Sequence, residues 1–109
     1  YPDYSPALNN YAWFLAESGK KLNKALAMSR KTIDAEPDNV TYLDTYGWIL
    51  YLLGRPADAK PYFKHAMMYG GKESATILRH YATVLEALGE NDLAAVYRKQ
   101  AEAKGEEEE

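Results

Sequence analysis

The chain has 109 residues, 47% hydrophobic and 27% charged, with a formal net charge of −3 and a pI of about 5.4. That suffices for one modest core, and it carries the wrong charge for a surface that tracks phosphates, which needs clustered Lys and Arg. Without cysteine disulfides and thiolate metal sites are excluded, and the compartment stays open, cytoplasm or cell envelope. No apolar run reaches the roughly eighteen residues that span a bilayer, and no signal-peptide pattern opens the chain.

Tyr1-Pro2-Asp3 echoes the later Pro37-Asp38 and reads, with residue 4, as the end of a preceding unit or as a linker. Ser5-Pro6 reads as an N-cap followed by proline in the first helical position. Leu8, Tyr11, Ala12 and Leu15 then fall at i, i+3, i+4 and i+7, one buried helix face. Gly19 closes that helix and turns the chain. Ala25–Ile33 is the returning helix, which Pro37 ends.

Asp38 or Asn39 caps the next helix, where Leu43, Tyr46, Gly47 and Leu50 repeat the face and Gly54 the turn. Ala59–Met67 returns. Its start is open: at Pro56, Pro61 would remove an internal hydrogen bond, whereas Asp58 as N-cap would put Pro61 harmlessly in the first turn. The later start is preferred. Gly70-Gly71 reads as a loop. Leu78, Tyr81, Ala82 and Leu85 form the third face, Gly89 the turn and Leu93–Ala101 the last helix. Residues 105–109, with Glu106 to Glu109, read as a solvated, disordered tail.

These elements are one phrase written three times. NYAWFLAESG, TYGWILYLLG and HYATVLEALG begin at Asn10, Thr45 and His80, 35 residues apart. A helix-turn-helix unit of this period predicts an all-α solenoid of six helices. The units span residues 5–39, 40–74 and 75–104.

The pattern resembles the tetratricopeptide repeat: large–small–large on the first helix, then Gly, then Ala–aromatic–Ala on the second, and finally Pro. The middle copy matches with Leu43, Tyr46, Gly47, Leu50, Gly54, Ala59, Phe63 and Ala66. The first supplies Leu8, Tyr11, Ala12, Leu15, Gly19, Ala25 and Pro37, and the third Leu78, Tyr81, Ala82, Leu85, Gly89, Ala94 and Ala101. Departures are the longer GKKLNKA turn, Ser29 and Thr32 in place of the aromatic and alanine, Gly70-Gly71 for proline, and Tyr97 one place early. The phrasing looks most like bacterial versions.

The resemblance implies a right-handed superhelix and a non-catalytic scaffold whose first helices line a concave groove for a peptide or protein partner. It assigns to that groove Asn9, Trp13, Asp44, Trp48, Tyr51, Arg79, Thr83 and Glu86, with Ala16 in the Tyr51 column. Asp44, Trp48 and Tyr51 lie at i, i+4 and i+7, a stripe offset from the Leu43–Leu50 face. Trp13 and Trp48 read either as partner anchors or as packing between units. The Lys, Asn and Arg pattern with which some members grip a peptide carboxylate is not reproduced.

No metal-protease, phosphate-loop or nucleophile-elbow motif occurs. His65 reads as solvent-facing and His80 as a contact to a neighbouring helix, so no enzyme, cofactor or metal is expected. Two other functions stay open: a pentatricopeptide-like RNA reader, suggested by the 35-residue period, and self-association through exposed end faces.

Overall fold

The computed structural model describes residues 4–108. Six helices follow in order: α1 Tyr4–Ser18, α2 Leu22–Ala35, α3 Val40–Leu52, α4 Pro56–Met68, α5 Ala75–Ala87 and α6 Asn91–Glu108. A single 3-10 turn, Gly71–Glu73, joins α4 to α5. Each odd helix packs on the next as an antiparallel hairpin, and α2 on α3 and α4 on α5 stack the hairpins. The fold is an all-α solenoid.

The turns follow from glycine chemistry. Gly54 and Gly89 hold φ of 78° and 80°, a region closed to most side chains. Beside Gly54, its own N–H reaches Tyr51 O at 2.9 Å and Arg55 N–H reaches Leu50 O at 2.9 Å, so the last carbonyls of α3 are satisfied. Asn39 caps α3 by accepting from Tyr42 N–H at 3.2 Å, and Ser74 caps α5 by accepting from Ile77 N–H at 3.2 Å.

Three sequence expectations fail. Ser5 is not an N-cap, because α1 already includes Tyr4 and Ser5 lies buried in its first turn. Helix α4 starts at Pro56, not after Asp58, and carries Pro61 inside it. Pro61 and Ala57, whose carbonyl loses an N–H partner, are both exposed, so solvent takes over that bond. The backbone of α6 stays helical to Glu108 where a disordered tail was expected. Glutamate is a good helix former, and Lys104 pairs with Glu73 at 3.0 Å. The Tyr1-Pro2-Asp3 reading lies outside the described residues.

The core runs through the hairpins in two clusters, one from α2 to α6 and one around α1, α2 and Ile49. In the middle unit the fully buried Phe63 ring lies against Gly47, where a Cβ would come within 2.7 Å of it. The first unit has Ser29 at the Phe63 position and therefore room for Ala12. In the third unit Tyr97 meets Tyr81, ring centroids 4.8 Å apart. The small residue of the motif is thus matched to the size of what faces it.

Burial first, then the neighbouring Tyr97 and Glu90, pushes the Tyr81 phenol up to about 12 from its ordinary 10.0. The unfolded chain therefore releases this proton near pH 10 while the fold keeps it. Stability tied to Tyr81 is whole below pH 10, falls as pH rises toward 12, and amounts to on the order of 2 kcal/mol. Comparing Tyr81→Phe with the parent in denaturant melts across this window isolates it from the other tyrosines. The variant is expected to have a shallower alkaline slope; equal slopes would refute the assignment.

Candidate first-helix interaction face

First helices meet along the array, α1 with α3 and α3 with α5, whereas neighbouring second helices make at most marginal contact. On α3, Trp48 and Tyr51 are one turn apart and only partly buried. Their rings stack with centroids 4.8 Å apart and planes 24° from parallel. His80 of α5 stacks on Trp48 at 4.0 Å and 19°, and Trp13 of α1 reaches the same imidazole at 5.8 Å. Four rings from three repeats form one assembly.

Asp44 anchors it. Its Oδ1 lies 2.7 Å from His80 Nδ1, with side-chain exposures of 11% for Asp44 and 15% for His80. A carboxylate offers only acceptors, so Nδ1 carries the proton and donates. The structure therefore gathers Trp13, Asp44, Trp48 and Tyr51 around His80, a residue outside the expected set. Its partner stands 36 positions away, one repeat plus one residue, so the spacing that revealed the repeat carries no sign of the contact.

The remaining candidates sit elsewhere. Arg98 of α6 donates to Glu86 at 2.7 Å and 3.1 Å and to Thr83 Oγ1 at 3.3 Å, closing the last hairpin on itself. Arg79 is exposed and donates to Thr76 Oγ1 at 3.4 Å. Asn9 is buried and its Oδ1 has no hydrogen-bond partner among the described residues. Ala16 is buried in the cluster with Ile49, so it is core. His65, read as solvent-facing, is half-buried, pairs with Asp38 at 2.8 Å and stacks on Tyr69.

Among the described residues no three His, Cys, Asp or Glu side chains converge as metal ligands. No described helix is long and apolar enough to cross a membrane. What the face offers is aromatic area framed by hydrogen bonds, the chemistry of recognition.

No curated protein matches the chain in sequence. Among solved structures it is similar to MamA MSR-1 C2, with a TM-score of 0.78 and 22% identity over 100% of this chain and 60% of that chain. At that identity the likeness is one of fold, and the chain spans about three fifths of that protein's length. A family model described as tetratricopeptide repeat matches residues 1–106. With three hairpins in register, each closed by a left-handed glycine, the chain belongs to the tetratricopeptide repeat family.

Proposed function

We propose that the chain is a non-catalytic scaffold that binds a peptide or partner segment along its first-helix face, with Trp13, Trp48 and Tyr51 as anchors. The observation that carries this reading is the aromatic assembly itself. Trp13 and Trp48 lie against His80 and Tyr51 stacks on Trp48, yet both tryptophans and Tyr51 keep part of their surface open. Tetratricopeptide repeats generally mediate protein–protein contacts, and the closer spacing of the first helices supports a concave side there. Open aromatic surface on rigid helices is suited to an extended or helical segment with apolar side chains. The net charge of −3 supports a protein rather than a nucleic-acid partner.

The test is selection from a displayed peptide library, followed by calorimetric titration of the winners. Trp13→Ala and Tyr51→Ala are each expected to weaken binding about tenfold or more, with unchanged helicity, while Tyr69→Ala on the second-helix side leaves it intact. Peptides that bind all variants equally would refute the site.

A further inference from the structure

The first-helix face carries its charges unevenly. Asp44 has no Lys or Arg partner among the described residues; its carboxylate meets His80 Nδ1 alone. With the imidazole neutral, that pair holds one negative charge in a nearly closed setting, where an uncompensated carboxylate is costly. Nε2 of the same ring has no hydrogen-bond partner among the described residues and still touches solvent. In the neutral ring it can only accept. Glu17, one helical turn beyond Trp13, is exposed and has no ion-pair partner among the described residues. The cations stand at the other end: Arg98 is spent on Glu86, and Arg79 donates to Thr76 Oγ1.

The rings divide the same way. Trp48 already carries two stacked rings, His80 and Tyr51. Trp13 meets the His80 imidazole only at a tilt of 35°. Elsewhere the chain covers aromatic faces with its own cations: Lys24 lies over Tyr11 and Arg30 over Tyr46, each at 5.9 Å. Indole is the best of the aromatic faces for a cation. Trp13 has none over it among the described residues, although acceptors flank it.

We propose that the partner segment engages the α1 end of this face through an arginine, whose guanidinium lies on the Trp13 indole and donates to Glu17 and to His80 Nε2. The inference rests on the scaffold reading above and names the chemistry of its ligand. A guanidinium suits the place better than an ammonium: it is flat, sheds water more readily and presents several donors in a fixed fork. Charge sets the direction, since Arg79 and Arg98 at the α5 end repel a second cation.

Binders selected from a displayed library of random peptides would be resynthesised with each arginine replaced in turn by citrulline, which keeps the shape and removes the charge. Calorimetry is expected to find one position where citrulline costs about tenfold in affinity. Glu17→Gln should weaken the arginine peptide about threefold and leave its citrulline form unchanged, a difference that a folding defect would not produce. In Trp13→Ala the citrulline penalty should shrink toward nothing. Binders that lose affinity in Trp13→Ala yet carry no arginine, or tolerate citrulline throughout, would overturn the arginine and leave the scaffold reading standing. A library without binders, or binders indifferent to Trp13→Ala, would sink both.

Discussion

Phe63→Ala is expected to cost about 3–5 kcal/mol and to lower the thermal midpoint by roughly 15 °C. The ring is fully buried and joins the hairpin α3–α4 to the next unit through Tyr81, so its loss leaves a cavity on both sides. The diagnostic partner is Gly47→Ala. In the parent, its new Cβ would stand 2.7 Å from the Phe63 ring. Overpacking of about 1–3 kcal/mol outweighs a helix-propensity gain of about 1 kcal/mol. In the Phe63→Ala background the clash is gone and only the gain remains, so the same substitution should stabilise. A double-mutant cycle read by denaturant melts shows the sign change. Gly47→Ala stabilising the parent would place the ring elsewhere.

Asp44→Ala should destabilise by about 2 kcal/mol. It leaves the His80 Nδ1 proton in a nearly closed environment without its acceptor, and a buried unsatisfied donor costs about 1–3 kcal/mol. The pair also joins α3 to α5, the first helices of neighbouring repeats. His80→Ala removes the same bond together with the stack on Trp48. If the pair acts as one joint, the double variant loses less than the sum of the singles, by about 0.5–1.5 kcal/mol. Strictly additive losses would show that Asp44 and His80 contribute separately.

Much of this architecture is written locally. Gly54 and Gly89 terminate helices because positive φ is open to them, and Asn39 caps because its side chain reaches back to Tyr42 N–H. Those are short-range rules, although the sequence leaves the α3 cap open between Asp38 and Asn39, and the same rule misplaces a cap at Ser5. Pro61 was misread because its penalty depends on whether the freed Ala57 carbonyl sees solvent, a tertiary fact. At the C-terminus the backbone of α6 runs on to Glu108, in keeping with the high helix propensity of glutamate.

The candidate site divides on the same line. Trp48 and Tyr51 lie on one helix at i and i+3, so helical geometry places them together. Thr83 and Glu86 share those repeat columns, yet Arg98 from α6 engages both. Column equivalence fixes where a side chain starts, and the neighbouring helix decides what it meets. Asn9 and Asp44 show this most clearly. Asp44 finds the imidazole of His80. Asn9, its counterpart one repeat earlier, has Thr45 in the column that holds His80, and that hydroxyl is spent on Thr41 O at 3.1 Å. The Asn9 carbonyl is left unpaired.

The most direct test of the scaffold reading uses the two indoles as reporters, since the chain has only two tryptophans. A ¹⁵N-labelled sample would be titrated with a selected peptide while its two indole N–H resonances are followed. The account predicts that both resonances move and saturate with the same affinity as the calorimetric binding. Indole resonances that stay fixed, while backbone signals of α2, α4 or α6 shift, would contradict it and place recognition on the second helices.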